Sequence, residues 1–504
     1  MLELNPVFAI DFYKVDHRRQ YPEGTTEVYS NLTPRYFKKS HSLLPDYDSQ
    51  VVVFGIQAFI ESFFIEQWNR YFFRRPRILA VGQYKEQIEA CLGIEDFDCS
   101  HLEALHNLGY LPVRIKAIAE GYRVPIGVPV LTIVNTKPEF FWLTNYLETS
   151  LSAGLWKAMT TATIAFEYKR LLTNYAKKTG VDPSSVVYQA HDFSFRGMSG
   201  IDDAMVCGAA HLTLFQGTDC VPAINYLNMY YDADASPHTV GNSVPATEHS
   251  VMCCDGANGE YETIRRLITE VYPSGIVSVV SDSYNFWNCL NVHIKSLRET
   301  ILQRAGKVVI RPDSGNPVDI ICGDICAKTD SVESKGALQV LWDIFGGTVN
   351  EAGYKVLDSH IGLIYGDAIT VERATLILQI MEEKGFASSN IVFGVGSYSY
   401  QYVTRDTFGF AMKATSCVIN GERRAIFKDP ITATDNNKKR SAKGLLQVLI
   451  NNQTAQLILL DDVSEQEEQR SQLITVFEDG NLVNTTDLKT IRLNLQAELE
   501  ALDY

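Results

Sequence analysis

Arg311, Asp313 and Ser314 close the apolar, β-branched run Val308-Val309-Ile310, and Gly315-Asn316-Pro317 turns the chain directly afterwards. A guanidinium and a carboxylate at the end of a buried strand are costly to desolvate unless they pair or bind something. Two readings fit. One is a buried structural salt bridge. In the other, Arg311 grips a ligand carbonyl or phosphate while Asp313 accepts from ribose hydroxyls. The two residues are two apart, so a persisting strand points both to one face.

The same punctuation recurs along the chain. Val186-Val187-Tyr188 leads to His191-Asp192-Phe193 and Arg196, and Leu212-Thr213-Leu214-Phe215 leads to Gly217-Thr218-Asp219. Val244 precedes Glu248-His249-Ser250, and Val277-Ser278-Val279-Val280 runs into Ser281-Asp282-Ser283. Ile361 to Tyr365 leads to Gly366-Asp367, and Ile391-Val392-Phe393 leads to Gly394-Val395-Gly396-Ser397. The Gly-x-Gly turn reads either as a tight turn or as a phosphate cradle of backbone N–H groups, with Arg405 close behind it. His249 needs a partner to fix its tautomer. Glu248 projects the other way in an extended segment, so Asp282 or Asp313 is expected in that role. Phe193 beside Arg196 reads as core or as a platform for a flat heterocycle. Asp219 is placed to accept from an amide NH₂.

These clusters centre on positions 191, 219, 249, 282, 313, 367 and 397, mostly about thirty residues apart. That interval suits a strand, a helix and two short loops. Helical periodicity fills the gaps, as in Glu260 to Ile268 and Val371 to Leu378. The wide gap before Asp367 has room for an extra helix within Ser334 to Tyr354. The pattern predicts an α/β fold: an irregular (β/α) barrel over residues 151–400 with its site at the strands' carboxyl ends. An open doubly wound sheet fits less well, because it concentrates ligands at one switch point. Residues 1–150 and 401–504 carry further β-like runs, such as Val113 to Ile118 and Ala455 to Leu460, and are expected to pack together as one α+β domain. The basic loop Asn436 to Gly444, with Lys439 at its centre, reads as a solvated turn or a phosphate-facing loop.

Of the 504 residues 46% are hydrophobic and 21% charged, which suits a water-soluble globular chain, and the net charge of −15 disfavours nucleic acid and anionic membranes. Any anionic ligand must therefore be held by local Arg and Lys clusters. Ten scattered cysteines without paired zinc-ligand spacing imply reduced thiols. No apolar run approaches the ~20 residues of a membrane helix. A soluble, cytoplasmic protein is expected.

Taken together, the ordered segments resemble the nicotinamide phosphoribosyltransferases, members of the type II phosphoribosyltransferases. They are Asp11-Phe12-Tyr13-Lys14, His191 to Gly197, Gly217-Thr218-Asp219, Ser243 to Ser250, Val279 to Tyr284, Arg311 to Pro317 and Phe427-Lys428-Asp429-Pro430. The resemblance implies transfer of phosphoribose from phosphoribosyl pyrophosphate to nicotinamide in NAD salvage, with Mg²⁺ as cofactor and ATP as a stimulating co-substrate. It implies a homodimer with shared sites. The base would sit between Phe193 and Tyr13 of a second copy, its amide held by Asp219 and Arg311. Asp313, Gly366 and Asp367 would meet the ribose, and Gly396 and Ser397 the 5′-phosphate. Arg196, with Arg35, Arg405 and Lys413 of the second copy, would hold pyrophosphate. The residue matching His249 would be phosphorylated by ATP. Asp11, Glu248, Ser278, Asp282, Lys428 and Lys439 stand as further candidates, and no metal ligand set is singled out. The chain departs from the family pattern at Ser397, Tyr398, Ala368 and Ala411.

Three other functions compete. Nicotinate phosphoribosyltransferase shares the reaction but uses an anionic base, which a carboxylate at 219 should repel. A non-catalytic nucleotide sensor would not need Arg311, Asp313, His249 and Asp219 together. A sugar-phosphate aldolase or isomerase would place a metal set or a Schiff-base lysine at a strand end, and none of the clusters contains a lysine.

Overall fold

The structure, a computed structural model, describes residues 4–37, 44–233, 240–428 and 442–502. Six parallel strands form the curved sheet that carries the clusters: β1 (Ala190–Asp192), β2 (Gly217–Thr218), β3 (Ser274–Val280), β4 (Ala305–Arg311), β5 (Ile361–Tyr365) and β6 (Val392–Val395). Their spatial order is β2-β1-β6-β5-β4-β3. The segment through Asn242 and Ala246 bridges the two edges, pairing in parallel with Gly217 of β2 and Ser278 of β3. Curvature and this bridge make an irregular barrel of the expected α/β class. Val277, Val279 and Val280 of β3 and Val308 and Ile310 of β4 are fully buried, as β-branched residues in a sheet covered on both faces should be.

A 31-residue helix, α1 (Glu148–Lys178), packs along the barrel and crosses the expected boundary at 150. Its middle, Lys157 to Lys169, is buried throughout. Small and Thr residues there allow close approach, and Thr160 and Thr163 hydrogen-bond back to their own helix.

The flanking segments share a seven-stranded antiparallel sheet, in the order 422–425, 411–419, 25–33, 131–135, 113–117, 474–478 and 481–482. Val113–Ala117 shows why one face turns inward: Val113, Ile115 and Ala117 are buried, whereas Arg114 and Lys116 reach outward to Glu478 and Glu468. The C-terminal helix Leu488–Glu500 reaches across to the barrel, where Arg492 donates to the carbonyl of Leu212 at 2.6 Å.

Several local expectations give way. Val186-Val187-Tyr188 lies in a 3₁₀ turn (Pro183–Tyr188), and the strand starts only at Ala190. Leu212 ends a helix, Ile201–Leu212, rather than opening a strand. Both apolar runs satisfy the same hydrophobic demand as a strand, and only packing decides between the two. Gly394 and Val395 are strand residues, so the expected Gly-x-Gly turn begins one step later, at Gly396. The Ser334–Tyr354 gap holds the expected helix (Ala337–Phe345) and, in addition, one strand of a hairpin, Gly347–Val349 with Lys355–Leu357. Glu465–Glu468 is a short helix closed by a Ser464–Glu467 capping box.

Candidate active site

At the carboxyl ends of the barrel strands lies a cavity of about 520 Å³. Five of the six strand ends contribute to its rim or wall: Phe193 after β1, Asp219 after β2, Arg311 and Asp313 at β4, Gly366 and Asp367 after β5, and Gly396 and Ser397 after β6. Thr247 and Glu248 join from the bridging segment, and Arg196 and Gly197 from the turn beyond Phe193. Side chains more than 200 residues apart in sequence thus face one space. No described lysine lines it, which removes the Schiff-base alternative.

Phe193 forms one wall. Its backbone N–H donates to the carbonyl of Val395 at 2.9 Å, and its ring lies against Gly394 of β6 and Gly366 just after β5. A Cβ on Gly394 would come within 2.3 Å of that ring, and one on Gly366 within 2.7 Å. Those glycines are there for close approach. The guanidinium carbon of Arg311 sits 5.9 Å from the ring centre. Arg311 is held by the carbonyl of Thr247 through Nη2 at 2.6 Å and lies 3.4 Å from Asp313 through Nε.

Asp219 accepts from His191 Nε2 at 2.8 Å and from the Ser243 hydroxyl at 2.7 Å, both on Oδ1. Burial pushes its carboxyl up, but His191, Ser243 and the Arg311 charge outweigh it, so the group stays below its ordinary range and is an anion. Oδ2 is left for a ligand. His191 was missed as a site residue. It precedes Phe193 by two, and the period-2 rule for strands could have found it.

His249 opens a short helix, His249–Cys253, with Glu248 as its N-cap. Its Nε2 lies 3.3 Å from Asp282 Oδ1, so Asp282 rather than Asp313 is the imidazole's carboxylate neighbour. The other oxygen of Asp282 accepts from the backbone N–H of Asp313 at 3.0 Å and from the Ser314 hydroxyl. Asp282 thereby ties the histidine to the β4 loop. Burial raises the Asp313 carboxyl, Arg311 and His249 pull it down, and Asp282 and Asp367 push it up, leaving it above its ordinary range. Ser278 Oγ and Ser283 Oγ in this region are buried without a hydrogen-bond partner, and Arg311 Nε and Asp282 Oδ1 have only ion-pair contacts, at 3.4 Å to Asp313 and 3.3 Å to His249. Such orphans concentrate where a ligand completes the set.

Ser397 starts a four-residue helix in which the N–H groups of Ser399 and Tyr400 donate to the Gly396 carbonyl, both at 3.1 Å, which leaves those of Ser397 and Tyr398 at its open end. Gly197 lets it close in, since a Cβ there would meet Ser397 Cβ at 2.5 Å. Ala368, one of the departures from the family pattern, adopts φ 53°, the left-handed conformation that glycine takes without strain.

Residues 188–481 match the nicotinate phosphoribosyltransferase (NAPRTase) family, and residues 5–68 match the N-terminal domain of nicotinamide phosphoribosyltransferase. The chain belongs to the nicotinate phosphoribosyltransferase family. Within that family it is 55% identical to a nicotinamide phosphoribosyltransferase of Acinetobacter baylyi, over 99% of this chain and 98% of the relative. A Xanthomonas campestris protein of the same name is 33% identical over 98% of both chains. Among solved structures, the nicotinate-nucleotide pyrophosphorylase of Pyrococcus furiosus shares the fold with TM-score 0.57 at 14% identity, covering 99% of this chain and 97% of its own. Human nicotinic acid phosphoribosyltransferase does so with TM-score 0.52, also at 14% identity, covering 98% and 94%.

The remaining candidates of this family member do not line the cavity. Tyr13 is 61% exposed, and its hydroxyl donates to Asp11, which also accepts from Thr149. Lys413 lies close enough to Arg35, Arg405 and Lys428 for their charges to act on it; burial first, then those cations, lower its ammonium, while Glu148 opposes them. The structure thus gathers Arg35, Arg405, Lys413 and Lys428 into one basic group. Lys439 lies outside the described residues, as do Asp429 and Pro430. Among the described residues no three His, Cys, Asp or Glu side chains gather to hold a metal, and no helix is long and apolar enough to cross a membrane.

Proposed function

We propose that this enzyme joins nicotinamide to phosphoribosyl pyrophosphate, forming nicotinamide mononucleotide and pyrophosphate in NAD salvage. The observation that carries the reading is the anionic Asp219 beside Phe193 and Arg311. It pairs an aromatic wall with an acceptor for the amide NH₂ and a donor for the amide carbonyl. The same carboxylate repels nicotinate, which carries its own negative charge where nicotinamide carries NH₂.

In the reaction the bond from ribose C1 to pyrophosphate breaks with cationic character on the sugar, and the ring nitrogen of the base forms the new bond to C1. Nicotinamide is neutral and uses a lone pair, so no general base is needed. Phe193 fixes the plane of the base, and Arg311 and Asp219 fix its rotation, which turns the encounter into a near-unimolecular one. Asp313 and Asp367 face the ribose. The N–H groups of Ser397 and Tyr398 receive the 5′-phosphate, and Arg196 takes charge on the departing pyrophosphate. Mg²⁺ commonly binds through one or two carboxylates plus substrate phosphates. Asp313 and Asp367 are such a pair, and the ion would neutralise leaving-group charge there.

The reading extends to a homodimer in which a second copy brings Tyr13 over the base and Arg35, Arg405 and Lys413 to the pyrophosphate. Support comes from their place in this chain, off the cavity, with Phe12 48% and Tyr13 61% exposed. His249 is the proposed acceptor of the ATP γ-phosphoryl group: a ring nitrogen bonds to phosphorus, ADP leaves, and water later releases phosphate. Asp282 orients the ring by engaging Nε2.

The test is a paired assay of nicotinamide and nicotinate with phosphoribosyl pyrophosphate and Mg²⁺, with and without ATP. Mononucleotide from nicotinamide, in excess over nicotinate and increased by ATP, is expected. Preference for nicotinate would overturn the assignment of Asp219, and absence of product from either base would restore the sensor reading.

A further inference from the structure

At the other end of the barrel, where Val187 and Gln216 precede β1 and β2, lies a second cavity of about 90 Å³. It is bounded by α1, this end of the sheet and the C-terminal helix. Two cations face it: Lys169 from the middle of α1 and Arg492 from the C-terminal helix. No acidic residue is among its described lining residues.

Lys169 is only 5% exposed, and its ammonium lies over the ring of Phe215, 5.4 Å from the ring centre. Among the described residues it has neither a carboxylate partner nor a hydrogen-bond acceptor. A buried ammonium in that condition is costly to keep charged. Burial, and then the Arg492 charge, push it down to about 8, and burial pushes Arg492 down to about 10. Arg492 meanwhile donates to the carbonyls of Leu212 and Val240, at 2.6 and 2.8 Å, which fixes its guanidinium beside the cavity.

We infer that this cavity binds a compact tetrahedral oxyanion, phosphate or sulfate, between Lys169 and Arg492. An anion there would supply the partner Lys169 lacks and relieve the repulsion between the two cations. At about 90 Å³ against about 520 Å³ for the catalytic cavity, the space suits one small ion better than a nucleotide. Because the cations sit on α1 and on the C-terminal helix, the bound ion would also fasten the last helix to the barrel. The site is separate from the catalytic cavity and does not depend on which base the enzyme uses.

Crystals soaked in selenate, a tetrahedral dianion with an anomalous signal, test this against crystals soaked in chloride at equal ionic strength. A selenium peak within hydrogen-bond distance of Lys169 Nζ is expected in the wild-type protein. It should be absent in Lys169→Met and retained in Arg196→Ala, whose defect lies in the other cavity. Phosphate and sulfate titrated as competitors identify the preferred ion. In solution, millimolar phosphate should raise the melting midpoint more for the wild type than for Lys169→Met. A wild-type cavity without a peak, an equal peak in Lys169→Met, or equal displacement by acetate would overturn the inference, and the first of these needs no variant to fold.

Discussion

Asp219→Ser separates the two bases most sharply. Nicotinate would bring its carboxylate to the place where Asp219 Oδ2 stands unpaired, setting two like charges a few ångströms apart. At ~4 Å and an effective dielectric constant of ~20, their repulsion is about 4 kcal/mol. The Asp219 side chain is 45% exposed, so solvent screens part of that. A working figure is about 2 kcal/mol, or roughly 30-fold in kcat/KM for nicotinate. Serine also removes a charged acceptor from the nicotinamide amide, and hydrogen bonds to charged groups are worth about 1.5–3 kcal/mol. Nicotinamide should lose roughly 30-fold, and the ratio between the bases should move by about a thousandfold. The assay is initial rates of both mononucleotides, separated chromatographically, at saturating phosphoribosyl pyrophosphate. A ratio within about threefold of the wild-type value would refute the electrostatic argument, because ~0.7 kcal/mol is below what an unscreened or half-screened pair can deliver.

Further outcomes follow from the same geometry. His249→Ala should abolish the increase in turnover caused by ATP while leaving the basal reaction, and turnover measured with and without ATP decides it. Gly394→Ala puts a methyl group 2.3 Å from the Phe193 ring. Displacement of that wall should raise KM for nicotinamide at least tenfold, and overpacking should cost about 1–3 kcal/mol in stability. Glu167, buried on α1, has its carboxyl raised to about 7 by burial, despite the opposing charges of Arg170 and Arg123. A raised carboxyl favours folding while protonated, so stability is fully present below pH ~4.5 and falls as pH rises toward 7. Glu167→Gln should escape that loss, melting higher than the wild type at pH 8 by the equivalent of at most about 3 kcal/mol and matching it near pH 4.5. Melting curves across that range check the sign.

The barrel was legible because desolvation makes charge at strand ends rare unless something uses it. Six of the seven polar clusters, mostly about thirty residues apart, therefore marked the carboxyl ends of barrel strands, and the seventh, at His249, follows the segment that bridges the sheet's edges. Phe193, Asp219, Arg311, Asp313 and Asp367 all line the cavity on that account. Local state was less legible. An apolar run such as Val186-Val187-Tyr188 satisfies the core equally as turn or strand, and the register of β1 is set by its partner β6, some two hundred residues away.

Chain order alone therefore determined which residue types stand at the strand ends, and with them the reaction class and the family. Only the tertiary structure decided who meets whom. It paired His191 with Asp219, gave His249 to Asp282, and aimed Gly394 and Gly366 at Phe193. It also set Lys169 opposite Arg492 in a cavity that no motif announces. The physical reason is range: desolvation and periodicity act on neighbours along the chain. Pairing energies depend instead on distances of a few ångströms between residues that only the folded backbone brings together.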